Sequence, residues 1–298
     1  MINYVSFIGI GFIIGILSGL FGVGGGFLLV PLLNAVFNIP CNIAIGSSLC
    51  QMVGTSSAAS FKHKDYGNID YKLAGFILMG SIVGAEFGAQ VLMWLKSVGT
   101  IMIHGSTISK MDLCINIIYI VLLSLIGIFM FLESKKAKKR ASREEVVETV
   151  FSKKIQNVRI PPLTSLSISK VNSISIWNLI GLGFIIGMLS GFLGIGGAFI
   201  MNPALIYLIG VPTSVAIGTS LFQTIFISGY GALTHFFKGN VDFGLVVNIL
   251  LGSLIGSQLG AKIHNKLRGA DIRYYFSLVI FIAIGIVLFK FLFRIDYL

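Results

Sequence analysis

Shifted by 172 residues, the chain overlays itself. Positions 9–91 match 181–263 without one insertion, and 35 of those 83 positions are identical. The glycines pair as Gly22/Gly194, Gly24/Gly196 and Gly25/Gly197, the prolines as Pro31/Pro203 and Pro40/Pro212. "AIGSSLCQ" (Ala44 to Gln51) meets "AIGTSLFQ" (Ala216 to Gln223), His63 meets His235, and "GNID" (Gly67 to Asp70) meets "GNVD" (Gly239 to Asp242). A chain built this way must fold as two versions of one unit. Two homologous halves joined by a basic segment is the organisation expected of a secondary transporter.

The solvent of these halves follows from composition. Only 11% of the 298 residues are charged and 55% are hydrophobic, whereas a soluble domain carries roughly 25% charged residues. Apolar runs recur at 4–38 (interrupted by the glycines), 43–61, 71–95, 113–132, 176–210, 214–237, 243–261 and 274–293, each at least about the length a bilayer-crossing helix needs. The expected fold is an all-α polytopic membrane protein of about eight transmembrane helices, not a β-barrel, whose segments would alternate. The first run lacks a positive n-region and recurs in mid-chain, so it reads as part of the fold rather than a signal peptide.

Three regions are expected: a first transmembrane repeat (1–132), a basic cytoplasmic linker (133–175) and a second repeat (176–298). The linker holds ten Lys/Arg, including "KKAKKR", against four Glu. It reads as solvated and in contact with anionic lipid rather than nucleic acid. If residues 4–38 form a re-entrant hairpin followed by three crossings, the halves are inverted. Lys62, Lys64, Lys72, Lys262, Lys266, Arg268 and Arg273 then lie inside with the linker, and Lys96, Lys110, Lys238, Lys290 and Arg294 outside. The positive-inside rule favours that arrangement in the cytoplasmic membrane.

The glycines raise the question of a site. Gly24, Gly25 and Gly26 in one half, with Gly196, Gly197 and Ala198 in the other, interrupt apolar runs. Each glycine costs a helix interior about 1 kcal/mol against alanine, so these clusters are expected to break their helices. A break at membrane depth must face protein or a polar cavity, and a helix restarting there presents N–H groups suited to an anion. The alternative is that the glycines serve close helix contact, as Gly80/84/88 and Gly252/256/260 do at four-residue spacing. Ser47, Ser48 and Gln51, with their mates Thr219, Ser220 and Gln223, can donate to a bound oxyanion, or bond a neighbouring helix. His63 and His235 are candidates for proton coupling, or interfacial residues beside lysines. Asp70 and Asp242 read as helix N-caps. Glu86 is the one carboxylate well inside an apolar run; it either carries a coupling proton or sits near a helix end. Its mate is Gln258, which excludes a symmetric pair of carboxylates.

Other classes find little support. There is no GxxxxGK[ST] and no HExxH, the four histidines are scattered, and Cys41, Cys50 and Cys114 form no CxxC. No catalytic group, metal or cofactor is expected.

"SGLFGVGGGFLLVPLL" with "AIGSSL", and "SGFLGIGGAFIMNPAL" with "AIGTSLFQ", resemble the TauE/SafE sulfite-exporter family. The resemblance implies an inner-membrane carrier for sulfite or related sulfur-containing and organic anions. Two features depart from a symmetric pattern: Gly26 becomes Ala198, and the basic segment is long. The rival classes are an anion channel and a membrane-embedded scaffold or enzyme.

Overall fold

Each glycine cluster ends one helix and begins another, and that sets the layout of both halves. A computed structural model describes residues 4–37, 39–97, 100–103, 106–139, 149–193 and 196–296. Gly194, His104 and the 140–148 part of the basic segment lie outside the described residues.

In the first half, α1 (Tyr4–Phe21) stops at the glycines and α2 (Gly26–Val36) restarts beyond them. Next come α3 (Cys41–Asp65), α4 (Tyr71–Ser97), a hairpin of β1 (Thr100–Ile103) and β2 (Ser106–Ser109), and α5 (Lys110–Lys139). Helix α6 (Val150–Asn157) and a second antiparallel hairpin, β3 (Leu163–Leu166) and β4 (Val171–Ser175), join the halves. The second half repeats the order: α7 (Ile176–Leu193), α8 (Ala198–Ala204), α9 (Thr213–Phe237), α10 (Phe243–His264) and α11 (Gly269–Asp296). Helix α8 runs on through a wider π turn at Leu205–Ile209, directly after Pro203, which lacks an N–H for the regular ladder.

This is an all-α polytopic membrane protein. Among the described residues, five helices are long and apolar enough to cross a bilayer: α4, α7, α9, α10 and α11. Helix α3, which covers the apolar run expected at 43–61, is 25 residues long but too polar to qualify. Its Ser47, Ser48, Gln51, Thr55 and Ser56 are at most 1% exposed. Their polarity is hidden in protein, not presented to lipid.

The halves interlock by exchange. Helix α4 of the first half packs along α7 of the second, and α1 along α10. Both contacts are made backbone to backbone. A Cβ on Gly80, Gly84 or Gly88 would lie 1.9–2.1 Å from the carbonyl oxygens of Ile180, Phe184 and Met188. One on Gly183, Gly187 or Gly191 would lie 2.1–2.2 Å from those of Ile77, Ser81 and Ala85. Gly11, Gly15 and Gly19 meet Ile249, Ser253 and Ser257 at 2.0–2.4 Å, and Gly252, Gly256 and Gly260 meet Ile8, Phe12 and Ile16 at 2.0–2.2 Å. No side chain fits at any of these twelve positions. The packing role expected of the four-residue glycine series holds, and Gly11/15/19 with Gly183/187/191 supply its other face.

The order of these contacts fixes directions. Residue numbers rise together across α1 and α10, and across α4 and α7, so each pair is parallel. Helices α3 and α9 are antiparallel, with Gly46 beside His235 and Asn240 and Gly218 beside Asn68. Helices α1, α3 and α4 therefore run opposite to their counterparts α7, α9 and α10 along the bundle.

The turns after α3 and α9 are built alike. Gly67 (φ 70°) and Gly239 (φ 68°) take the left-handed conformation. Asn68 N donates to His63 O and Gly67 N to Lys64 O, with the same pattern at Asn240, His235, Gly239 and Phe236; this is the glycine C-cap that satisfies the last helical carbonyls. Asp70 then caps α4 through Leu73 N (3.0 Å), and Asp242 caps α10 through Leu245 N (3.1 Å).

The segment 133–175, expected to be a solvated linker, is built onto the bundle in its described parts. Glu133 lies inside α5 and binds Arg273 of α11 (Nε to Oε2, 3.0 Å). Gln156 of α6 donates to Ile209 O at 2.7 Å, and Ser169 Oγ to Asp70 Oδ2 at 2.7 Å. The lysines can face water while apolar and amide groups of the same segment hold it down.

A single methyl tests the interlock. Gly84→Ala or Gly256→Ala should destabilise the detergent-solubilised protein by about 1–3 kcal/mol through overpacking. Gly75→Ala, on α4 but with nothing within 4 Å, should not. Melting followed by size-exclusion chromatography separates these outcomes; equal melting of all three would contradict the interlock.

Candidate functional site

The two breaks meet. Gly24 (φ 69°), Gly25 (φ 89°), Gly196 (φ 67°) and Gly197 (φ 72°) all hold left-handed conformations, which glycine adopts without steric cost. A Cβ on Gly24 would lie 2.5 Å from Met52 Cε, and one on Gly196 would lie 2.4 Å from the same atom. One thioether thus fills the junction between both halves. Phe27 and Phe199, repeat mates in the first turns of α2 and α8, stack with centroids 5.6 Å apart. Met52 is the twelfth residue of the 25 in α3, so the junction sits near that helix's middle.

Hydroxyls line this point. Ser56 Oγ would be 3.3 Å and Thr224 Cγ2 3.0 Å from a Gly24 Cβ; Ser228 Oγ would be 3.0 Å from a Gly196 Cβ. Thr224 Oγ1 donates to Ser220 O at 2.7 Å, leaving its methyl to the junction. Ser56 and Ser228 are repeat mates and fully buried. Among the described residues Ser56 Oγ finds no hydrogen-bond partner. A buried hydroxyl of that kind costs about 1–3 kcal/mol if left unmade, which is the signature of a group awaiting a ligand or water.

The candidates from the sequence divide. Ser47 Oγ accepts from Asp242 N (2.9 Å) and Thr219 Oγ1 from Asp70 N (3.0 Å). Each hydroxyl holds the Gly-Asn turn of the opposite half, where Gly46 and Gly218 leave room for that turn's backbone. They stand at the turns, not at the breaks. Ser220 Oγ lies 3.1 Å from Gly22 O and also contacts Asn202 Oδ1, while Asn202 Nδ2 donates to Phe21 O (2.6 Å) and Gly22 O (3.1 Å). Ser220 therefore braces the first break. Its mate Ser48 is buried, with no partner for its Oγ among the described residues. Gln51 Nε2 donates to Ser253 Oγ (2.8 Å) and Gln223 Nε2 to Ala74 O (3.2 Å), and neither Oε1 has a partner among the described residues. Gly26 and Ala198 open α2 and α8.

Of the coupling candidates, Glu86 is on the outside of α4, bonded to Tyr230 Oη and Gln90 Nε2. His235 stands beside Gly46, away from the junction. His63 is fully buried, its Nε2 3.0 Å from Gly19 O, and its ring meets that of His264 at 4.8 Å.

Met52, Asn202 and His264 were not among the residues read from the sequence. Asn202 is the one amide in α8 and replaces Val30 of the first half; that mismatch was the available signal. Ser56 and Ser228 were visible as an identical pair.

This architecture has relatives. A model of the family described as "Sulfite exporter TauE/SafE" matches residues 7–288. The chain belongs to the TauE/SafE family. Within it, a probable membrane transporter protein of Bacillus subtilis, YunE, is 27% identical over 290 residues, covering 95% of this chain and 96% of its own. Another from that organism, YdhB, is 27% identical over 255 residues, covering 85% and 87%. MJ0441 of Methanocaldococcus jannaschii, also named a probable membrane transporter protein, is 27% identical over 288 residues, covering 91% and 90%. No solved structure matches the chain. This TauE/SafE member is a multi-pass membrane transporter.

The division of the hydroxyls is testable. Ser47→Ala and Thr219→Val remove an acceptor from a backbone N–H, so each should lower stability by about 1 kcal/mol. Substrate affinity in flux assays should stay unchanged. A raised half-saturation constant with an unchanged melting temperature would instead return these residues to the substrate.

Proposed function

We propose that this transporter is a secondary carrier of the cytoplasmic membrane that moves sulfite or a related small sulfur-containing anion. The two halves form inverted repeats across the bilayer. The glycine breaks meet near its midplane, where Ser56, Ser228 and the N-terminal turn of α2 hold the oxyanion. The observation that carries this reading is the convergence of Gly24 and Gly196 on Met52.

The chemistry is suited to a small anion. Neutral hydroxyls and backbone N–H groups donate hydrogen bonds to oxygen without fixing a positive charge in the membrane. A site that holds the ion through dipoles also releases it more readily than a buried ion pair would. Met52, unbranched and flexible, fills the junction when the anion does not and swings aside when it enters. Alternating access follows from movement of the α1·α10 block against the α4·α7 block about the shared site. The interlocked pairs α1·α10 and α4·α7 would move as rigid blocks, because their backbones touch.

Proteoliposomes decide between carrier and channel. Labelled sulfite should accumulate transiently against its gradient by counterflow, which a channel cannot support. The double variant Ser56→Ala/Ser228→Ala should raise the half-saturation constant about tenfold or more, equivalent to about 1.4 kcal/mol, with folded yield unchanged. Unaltered affinity in that variant would rule out the hydroxyl site, and absence of counterflow would rule out the carrier.

A further inference from the structure

The C-terminus of α1 gives a second, independent observation. A helix leaves its last four carbonyls without helical partners, and here each has been found one. Ser18 O accepts from Gly22 N (2.7 Å). Gly19 O accepts from His63 Nε2 (3.0 Å), Leu20 O from His264 Nδ1 (2.8 Å) and Phe21 O from Asn202 Nδ2 (2.6 Å). Two of the four caps are histidines, one from each half.

A carbonyl can only accept, so the proton positions follow. His63 carries hydrogen on Nε2 and His264 on Nδ1. The remaining nitrogens, His63 Nδ1 and His264 Nε2, are buried and without partners among the described residues. The rings meet edge to face, with centroids 4.8 Å apart and planes at 68°. His63 is 0% and His264 1% exposed, yet both lie in the last turns of their helices, with exposed Lys64 and Asn265 next in the chain.

We propose that His63 and His264 together form a proton-binding site that couples anion transport to a proton gradient. The proposal rests on the carrier reading above. One proton from water enters at His63 Nδ1 or His264 Nε2 and gives a single imidazolium. Burial of both rings opposes that charge, and three features of the setting offset part of the cost: the negative end of α1, the neighbouring ring and the two carbonyls already bonded. A second proton is excluded, because two cations in contact in a water-poor site repel strongly. The pair therefore takes up one proton, which offsets one negative charge on the cargo. Its bonds end on Gly19 and Leu20, two residues ahead of the break at Gly22, so the charge state is felt where α1 gives way to the anion junction.

Among the described residues, the charged groups around the pair do not supply an alternative partner. Helix α1 contributes none. On α3, Lys62 pairs with Asp65 at 3.3 Å, and Lys64 is exposed. At the end of α10, Lys262 and Lys266 are exposed; at the start of α11, Arg268 pairs with Asp271 at 3.0 Å. Arg273 is held by Glu133 at 3.0 Å.

The test uses substitutions that keep the cap and delete the titrating nitrogen. In His63→Gln the amide nitrogen stands where Nε2 was, and in His264→Asn where Nδ1 was. In proteoliposomes with an imposed pH gradient, wild type should accumulate labelled sulfite. Both variants should lose that accumulation, and the flux-linked change of an internal pH dye, while keeping at least half the counterflow rate. Gradient-driven accumulation with the wild-type pH profile in either variant would overturn the proposal. A second arm needs no transport: nitrogen NMR of histidine-labelled protein in nanodiscs, titrated from about pH 8 to about pH 4. The His63 and His264 signals should report one proton shared between them, and each single substitution should change the titration of the other ring. Independent titration, or none, would overturn the proposal even if sulfite moves. If wild type moves no sulfite, the anion reading fails, and the NMR result still decides the proton site.

Discussion

Backbone-to-backbone contact between exchanged helices is the constraint on which the rest depends. Where α4 meets α7 and α1 meets α10, every fourth residue on the touching faces is glycine, and its place is occupied by a carbonyl oxygen of the other helix. Membrane helices gain no hydrophobic drive from meeting each other, so close van der Waals approach and weak Cα–H···O contacts must hold them. Because each pair takes one helix from each half, neither half is an independent body. The exchange also decides where the breaks go. Helices α1 and α7 are carried past each other in opposite directions, and the restarted helices α2 and α8 return to a shared centre.

At that centre the duplication becomes asymmetric. Phe27 and Phe199 keep the symmetric frame, and Ser56 and Ser228 keep a symmetric pair of hydroxyls. Met52, however, has Thr224 as its repeat mate, and Asn202 has Val30. The amide stitches the first break to the second half through Phe21 and Gly22. A carrier whose halves were identical would have no reason to favour one arrangement over its mirror. Unequal bracing of the two breaks suits the proposed carrier, which has to reach two states of similar energy.

Repetition made most of the fold legible. It marked the glycine breaks, the four-residue glycine series and the Asp caps, since each is demanded by backbone geometry and so recurs in both halves. At Ser47 and Thr219 it left two uses open, a bound oxyanion or a neighbouring element. These also recur, but their partner is a Gly-Asn turn folded in from the other half, a contact that no local pattern announces. Nor does local polarity announce that Ser47, Ser48, Thr55 and Ser56 of α3 are shielded by protein. Ser56 and Ser228 were missed although they are an identical pair, and Met52, Asn202 and His264, missed as well, have no identical mate. His264 has Leu92 as its repeat mate and Asn202 has Val30, so reading by symmetry passed over both. Internal duplication reveals what both halves need; function that works by difference lies where the halves disagree.

The most direct measurement is an anomalous diffraction map from crystals soaked in selenite, a heavier analogue of sulfite. A selenium peak between Gly24 and Gly196, within hydrogen-bonding reach of Ser56 and Ser228 and with Met52 displaced, is the expected result. A peak bound elsewhere, with the junction still filled by Met52, would contradict the paired-break site.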